Sequence, residues 1–290
     1  MKASAVSKHL NFRDKSVKTL QYASRVLLGY YGETLESTTK STLHTVVQNC
    51  SQGRKAFRLL KSVNMLQSLI LPPSFSQDDA LMSSLGNDDE CHENVKKCRE
   101  VAKQCESLEL MCMVGYYACD NILFLGRAKI LRNSYNAQFW ESATFSFWAI
   151  NDVIALFRGS VSLFTCQTEI NRIENQALMA KEGERERGGE GLSDSHTTST
   201  DRTPIADLEG CVTALLLHRK KIVRTLIKSL LDLGVSGGHC MNCYRHTGIV
   251  KALDKFTPFY QLFGKEANMN GNTGLCGLIS ALMTIQDILR

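Results

Sequence analysis

Residues 12–31, FRDKSVKTLQYASRVLLGYY, contain the pattern that decides the fold class. At about 100° per residue, the spacing of an α-helix, the apolar side chains fall on one arc. These are Val17, Leu20, Ala23, Leu27, Leu28 and Tyr31. The opposite arc carries Lys15, Lys18, Tyr22 and Arg25. The segment is therefore predicted to form an amphipathic helix with one apolar face and one basic face.

Two further segments, 54–71 and 215–233, repeat this design. Each places basic side chains on one arc and aliphatic side chains on the opposite arc. The basic side chains are Arg54, Arg58, Lys61, Lys221, Arg224 and Lys228. Two prolines follow residue 71, so the first of these helices is predicted to end there.

The longest predicted helix covers residues 89–132. Five cysteines spaced seven residues apart occupy one heptad position in it, and apolar or small residues follow three positions later, as in an a/d seam. The cysteines are Cys91, Cys98, Cys105, Cys112 and Cys119. Residues 139–165 predict another, mostly apolar helix. The chain has only 4 prolines in 290 residues and no convincing alternating strand pattern, so we predict an all-α fold, an elongated bundle of long amphipathic helices.

Residues 181–204 read KEGERERGGEGLSDSHTTSTDRTP and contain almost no apolar side chains. Burial cannot offset the entropy lost on ordering such a stretch, so a flexible, disordered linker is predicted. The linker divides the chain into an N-terminal region, 1–180, with the amphipathic and long helices, and a C-terminal helical region, 205–290. Both regions are rich in apolar helix and can pack together, with the linker as a surface loop.

The net charge of +5 averages over segments of opposite sign. Residues 1–70 carry 11 Lys and Arg against 3 Asp and Glu, residues 71–110 carry 4 against 9, and residues 211–255 carry 8 against 2. Basic amphipathic helices either present a solvated face around a core or lie on anionic lipid, where each Lys or Arg contributes roughly 1 kcal/mol. Composition does not separate these two. Nucleic-acid binding is disfavoured, because the basic faces lack interleaved aromatic side chains.

Hydropathy alone identifies no segment that crosses a membrane. In the longest stretch without charge, 267–286, the apolar part covers 274–285, which is shorter than the ~20 residues that a spanning helix needs. The next stretch, 142–157, is interrupted by Asn151 and Asp152. Insertion of a short segment into the membrane, or of several segments together, remains an alternative. The polar, basic start of the chain does not resemble a secretion signal, and cysteines on one helix face cannot all pair, so a cytosol-facing protein with free thiols is expected.

No catalytic arrangement is found in the sequence. The phosphate-loop, dinucleotide-binding, nucleophile-elbow and zinc-protease motifs are missing. His239 and His246 flank a C-x-x-C at Cys240 and Cys243, but no second ligand pair is evident, so this segment is interpreted as a mobile loop rather than a zinc site. We therefore predict no catalytic residue, no metal site and no cofactor, and do not expect an enzyme.

Four blocks of residues occur in a fixed order along the chain. They are Arg13-Asp14-Lys15-x-x-Lys18-x-Leu20-Gln21-Tyr22-x-x-Arg25, Gly53-Arg54-Lys55-x-Phe57-Arg58-Leu59-x-Lys61, Tyr116-Tyr117-x-x-Asp120-Asn121-x-x-Phe124-Leu125-Gly126-Arg127 and Gly274-Leu275-Cys276-Gly277-Leu278-Ile279-Ser280-Ala281-Leu282. Together they resemble the peroxin-11 family, the peroxisomal membrane elongation and proliferation factors. One departure is Phe12, where the family usually has a glycine or small residue. The linker and the C-x-x-C segment have no counterpart in the family pattern.

The resemblance implies a non-enzymatic protein of the peroxisomal membrane, or of the related glycosome. Its cytosol-facing amphipathic helices would curve and elongate the membrane and so promote peroxisome proliferation and fission. The implied partners are anionic membrane lipids, further copies of the chain, and the fission machinery, a dynamin-related GTPase with its membrane adaptor. Nucleic acid is not expected as a partner.

The first two basic helices are expected to contact the membrane. The residues expected to do so are Lys15, Val17, Lys18, Leu20, Tyr22, Arg25, Leu27, Leu28, Tyr31, Arg54, Arg58 and Lys61. Small residues in the last helix, Gly274, Gly277 and Ala281, are expected to allow close helix contact in an oligomer or within lipid. Two alternatives stay open, a membrane channel for small metabolites and a soluble helical scaffold.

Overall fold

The computed structural model describes residues 2–59, 70, 92–131, 136–187, 204–243 and 266–289. Within these ranges the chain forms six α-helices and no strand, which confirms the all-α prediction for the described part of the chain. The helices are α1 (Lys2–Tyr31), α2 (Ser37–Phe57), α3 (His92–Arg127), α4 (Ala137–Arg187), α5 (Pro204–Cys243) and α6 (Glu266–Leu289).

Helix α2 was not predicted from the sequence. Arg54 was expected to begin a helix, but it lies in the last turn of α2, where Arg54 and Lys55 complement the negative end of the helix dipole. The first half of α2 is rich in threonine and serine, which have modest helix propensity because their hydroxyls compete for backbone partners. Residues 60–69 of the expected helix lie outside the described residues.

Helices α3 and α4 begin within three residues of their predicted starts, but α3 ends earlier and α4 ends later than predicted. Helix α3 stops at Arg127 because Lys129 adopts a left-handed conformation, with φ 60°. The Lys129 and Ile130 amides donate to the carbonyls of Gly126 and Leu125, both at 3.0 Å, which closes the helix with a Schellman-type cap. Helix α4 continues to Arg187, so residues 181–187 of the predicted linker are helical. Residues 188–203 lie outside the described residues.

The prediction of a mobile loop after residue 238 is wrong. Helix α5 runs without interruption through both glycines and the C-x-x-C to Cys243. It also begins earlier than predicted, at Pro204, where a proline suits the first turn because its missing N–H has no helical partner. Packing of His239 and Cys240, described below, holds the end of the helix despite the two glycines. His246 lies outside the described residues.

The chain contains two compact units. The first unit comprises the described residues of Met1–Leu85, Gln104–Leu156 and Ile227–Arg290, and the second those of Gly86–Lys103 and Phe157–Leu226. Each unit contains residues from before and after segment 181–204. The division of the chain into 1–180 and 205–290 remains a prediction.

The second unit has an apolar core. Ile170, Ile173 and Leu215 are each no more than 2% exposed. At Gly159 an added Cβ would lie 2.5 Å from the Leu226 side chain, so α4 and α5 approach closely there. Glu169 accepts from Arg172 at 3.0 Å.

In the first unit, α1 packs against α2 and α6. Small residues on α6 make the close approach to α1 possible. An added Cβ at Gly274 would lie 2.9 Å from the Val26 backbone nitrogen, and one at Gly277 would lie 2.5 Å from the Tyr22 ring. Helix α6 therefore contacts α1 through its glycine face, and side chains larger than hydrogen are excluded at these points.

Candidate membrane-contacting surface

The apolar arc of α1 lies on the outside of the first unit. Leu20 is 54% exposed, Leu27 44% and Tyr31 57%. Phe12 is also exposed, whereas Val17 and Leu28 are half-buried. We call the exposed apolar residues Phe12, Leu20, Leu27, Tyr30 and Tyr31 the outer face of α1.

Two other helices of the first unit also expose apolar stripes. On α6, Leu275, Ile279 and Leu282 repeat at helical spacing and are all exposed. On α4, the exposed large apolar side chains of this unit are Phe139, Phe147, Ile150 and Val153. Large apolar side chains in this number are costly in water, and they are the ordinary surface of a protein in contact with lipid or with another apolar surface.

Two helices are long and apolar enough to cross a membrane by length and composition. They are Val95–Arg127 in α3 and Ala137–Met179 in α4, and the most apolar part of the second is only 6% buried. This corrects the expectation that no segment qualifies. That expectation required stretches without charge, whereas these helices contain isolated acidic side chains such as Asp120 and Asp152, which the fold buries.

The basic arc of α1 and its counterpart on α2 lie inside the unit. Lys18 is 4% exposed, Arg54 8% and Arg58 7%, and Tyr22 is buried with them, while Lys15 and Arg25 are half-buried. The structure therefore places Lys18, Arg54 and Arg58, which were expected at lipid headgroups, in the interior, and Leu20, Leu27 and Tyr31 outside. Lys61 lies outside the described residues.

Lys18 joins three helices. Its Nζ lies 3.2 Å from Asp232 Oδ1 on α5 and 3.5 Å from Ser280 Oγ on α6, and Ser280 donates to the same Asp232 oxygen at 2.6 Å. Burial alone would raise the pKa of Asp232, but Lys18 and the Ser280 hydroxyl more than offset it and hold that pKa below its ordinary value. The Asp232 carboxylate is therefore ionised where α1, α5 and α6 meet.

A second buried cluster connects α1, α2 and α3. We call it the inner ion cluster; it consists of Asp14, Gln21, Arg54, Lys55, Arg58, Tyr116 and Asp120. Arg54 donates to Asp14 at 3.3 Å and to Gln21 Oε1 at 2.8 Å, which attaches the end of α2 to α1.

The other half of the inner ion cluster attaches α2 to α3. Asp120 lies 3.3 Å from Lys55 Nζ and 3.1 Å from an Arg58 nitrogen, and Arg58 also donates to the Tyr116 hydroxyl. Burial lowers the pKa of Lys55 to about 8, although Asp120 acts in the opposite direction. One carboxylate thus serves two cations in a site largely removed from water.

His239 ends the polar interior near the C-terminus of α5. Its Nε2 lies 2.6 Å from an Arg25 nitrogen, and its ring stacks on Phe145 with centroids 4.5 Å apart. Burial, and then the charge of Arg25, lowers the pKa of His239 to about 3, so the neutral ring accepts a hydrogen bond from Arg25. Cys240 lies 3.7 Å from Ser146 Oγ. Among the described residues, no group of three or more His, Cys, Asp or Glu side chains is arranged to hold a metal ion.

Lys15 lies beside this interior. Burial and then the neighbouring Lys18 lower the pKa of Lys15 to about 7, although Asp14 acts in the opposite direction. Its Nζ lies 3.8 Å from Asp14. Lys15 is therefore closer to losing its proton near neutral pH than an exposed lysine is.

Two of the three small residues predicted for close helix contact, Gly274 and Gly277, lie against α1 of the same chain. Gly274 and Gly277 are buried there, and Ala281 is fully buried. The expected close approach between helices is present within the chain. A contact of these three residues with a second copy stays a prediction, and in this conformation α1 lies against the two glycines.

The sequence analysis missed the acidic partners as functional residues. Asp14, Asp120 and Asp232 each stand alone in a basic or apolar helical segment, which is the signal that marks a buried ion pair. Asp14 and Asp120 belong to two of the four blocks quoted above. In the structure, three of those blocks meet in the inner ion cluster, although they are far apart in sequence.

The chain matches the model of one protein family, described as peroxisomal biogenesis factor 11 (PEX11), over residues 4–87 and 85–250. This range includes α1 to α5 and the inner ion cluster, whereas the resemblance of α6 to the family stays a prediction. No curated protein and no solved structure matches the chain significantly. Because the family match covers most of its length, and confirms the family expected from the sequence blocks, the chain belongs to the peroxisomal biogenesis factor 11 (PEX11) family.

Proposed function

We propose that this peroxisome biogenesis protein inserts the outer face of α1 into the cytosolic leaflet of the peroxisomal membrane and thereby curves and elongates it. The observation that carries the proposal is the exposure of Leu20, Leu27 and Tyr31 on a helix that buries the polar side chains of Asp14, Lys18, Gln21 and Ser24. The role is non-enzymatic, and elongation prepares the organelle for fission by a dynamin-related GTPase and its adaptor.

The physical basis is the cost of leaving this surface in water. Burying a leucine or phenylalanine side chain contributes roughly 1.5–3 kcal/mol, so the outer face of α1 favours transfer into lipid. Insertion into one leaflet alone expands that leaflet and bends the bilayer. Further copies inserted nearby would add to the bending.

Fewer cations are exposed for contact with anionic lipid than the sequence suggested. Among the residues of α1 whose side chains the structure describes, Arg13 is an exposed cation on the side of the outer face, whereas Lys18 is used inside the protein. We therefore propose that apolar contact dominates binding and that negative lipid charge adds a modest contribution, since each exposed cation near the surface contributes roughly 1 kcal/mol.

The test is reconstitution of the full-length protein with liposomes, followed by electron microscopy. The native protein should draw liposomes into tubules. The double variant Leu20→Glu, Leu27→Glu should not, because two charged side chains replace the apolar contact.

The matched control is Thr39→Glu with His44→Glu. Both positions are exposed on α2, and the pair introduces the same number of acidic side chains away from the outer face. The control should tubulate liposomes as the native protein does. Unchanged tubulation by the leucine variant would refute this role of α1.

A channel for small metabolites is a second candidate function. It is favoured by two helices long enough to span a membrane, each with a buried acidic residue, Asp120 or Asp152. Purified protein in planar bilayers would then conduct, and deletion of residues 267–290 would abolish the conductance. Tubulation without conductance would reject this candidate.

A further inference from the structure

A cleft in the first unit carries an excess of positive charge. It has a volume of about 510 Å³, within the range of small-molecule sites. Its cationic side chains come from α1, α2 and α3, and they are Arg25, Arg54, Lys55, Arg58 and Arg127. Exposed Gln48 and Asn49 lie at its edge, so the cleft is open to solutes.

Three carboxylates pair with four of these five cations. Asp14 is bonded to Arg54, Asp120 is shared by Lys55 and Arg58, and Glu141 lies 3.3 Å from Arg127. If all are ionised, two positive charges remain in excess. A surplus of buried positive charge is costly unless an anion accompanies it.

Arg25 contributes most clearly to this surplus. The group it meets at hydrogen-bond distance is the neutral imidazole of His239, at 2.6 Å, and its guanidinium also lies 5.6 Å from the centre of the Tyr22 ring. Neither group carries a negative charge, and Glu141, which also acts on Arg25 electrostatically, is already paired with Arg127. A guanidinium has further N–H donors in a planar fork, a geometry that matches a phosphate group.

We propose that this cleft binds a phosphate group, with Arg25 and Arg127 as its charged ligands. The phosphate belongs either to a soluble organic phosphate or to the headgroup of a phosphoinositide at the membrane surface. This inference goes beyond membrane curvature. Its test uses no readout of membrane shape, so it stands or falls separately from the proposed function.

The first measurement is calorimetric titration of the purified full-length protein, in uncharged detergent, with inositol trisphosphate and with pyrophosphate. Arg25→Gln should weaken binding about tenfold or more, as expected when one charged hydrogen-bonding partner is lost. Arg25→Lys should retain part of the affinity, because it keeps the charge but not the fork. Lys220→Gln is the matched control, since Lys220 is exposed on α5 outside the cleft and the change removes the same charge.

Arg127→Gln is the second variant. Its ion pair with Glu141 is more than one-third exposed on each side, so its loss should leave the fold intact even if Arg25→Gln fails to fold. Circular dichroism verifies the folding of each variant. Absence of binding by the native protein, equal affinity of the native protein and both cleft variants, or an equal loss with Lys220→Gln would overturn the proposal.

Liposome flotation distinguishes the two sources of phosphate. Stronger binding to phosphatidylinositol phosphate than to phosphatidylserine liposomes of equal charge, lost in the cleft variants, assigns the site to a lipid headgroup. Binding of the soluble phosphates without such a preference assigns it to a soluble ligand.

Discussion

At the scale of single residues, side-chain volume determines how closely α1 and α6 pack in the first unit. Gly277 allows the Tyr22 ring to lie directly on α6, and Tyr22 in turn has Lys18 at 5.7 Å from its ring centre. Spacing in the sequence identified Gly274, Gly277 and Ala281 as a close-contact face, because small residues four apart are recognisable. The spacing did not show which helix packs on this face, because the choice between α1 and a second copy of the protein depends on tertiary packing.

Gly277→Ala is expected to destabilise the protein by about 1–3 kcal/mol, because the new methyl group would overlap the buried Tyr22 ring. Gly53→Ala provides the matched control, since an added Cβ there meets nothing within 4 Å. The control should be stabilised by up to about 1 kcal/mol, as alanine favours a helix over glycine. Thermal unfolding in detergent measures both, and equal midpoints would contradict the contact.

His239 is expected to make stability depend on acid. Its pKa is about 3 in the folded protein and about 6.5 when unfolded, so between these values the unfolded state binds a proton that the folded state does not. The free energy of unfolding attributable to this ring therefore falls as the pH is lowered from about 6.5 towards 3. His239→Gln keeps an acceptor for Arg25 and does not titrate. Urea unfolding between about pH 7 and pH 5 should show a larger loss for the native protein, and parallel curves would refute this.

At the scale of helices, periodicity in the sequence divided α1 into two arcs and assigned the basic arc to the outside, whereas Lys18 and Tyr22 of that arc are buried. Period alone does not state which arc faces inward, since that depends on the partners supplied by other helices. Asp232 and the inner ion cluster supply those partners here. Helix α2 was missed for a related reason. Its propensity is modest, and Arg54 at its end is held by Asp14 and Gln21 of α1.

The junction of α1, α5 and α6 depends on the Lys18–Asp232 pair. Asp232→Asn should cost about 3–5 kcal/mol, because it leaves the Lys18 charge buried without its counter-charge. The combined variant Lys18→Met, Asp232→Leu should recover most of that loss, since neither charge then remains. Chemical unfolding in a double-mutant cycle measures the coupling.

The exposed pair Glu93–Lys97 is the comparison, at 65% and 75% exposure of the Lys97 and Glu93 side chains. Lys97→Ala should change stability by no more than about 0.5 kcal/mol. A similar loss at both pairs would show that burial does not set the strength of the junction.

At the scale of the whole molecule, the sequence predicted an all-helical member of this family; the family is confirmed, and the all-helical fold is confirmed for the described part of the chain. Two spanning candidates were not predicted, because isolated acids interrupt the apolar run in the sequence while the fold hides them from lipid. In cells, a tagged copy should co-localise with a peroxisomal marker and remain in the membrane pellet after carbonate extraction. Quantitative recovery in the soluble fraction would favour the soluble scaffold.

The buried position of the cations has a consequence for ionic strength. Salt screens charges in water, over about 8 Å at physiological concentration, but acts much less on pairs removed from water. Lys18, Arg54 and Arg58 are each at most 8% exposed and are paired with Asp232, Asp14 and Asp120, so added salt screens these pairs much less than it screens pairs on the surface. A high-salt wash that releases proteins attached through surface lysines should therefore leave this protein on the membrane, with its thermal unfolding temperature nearly unchanged.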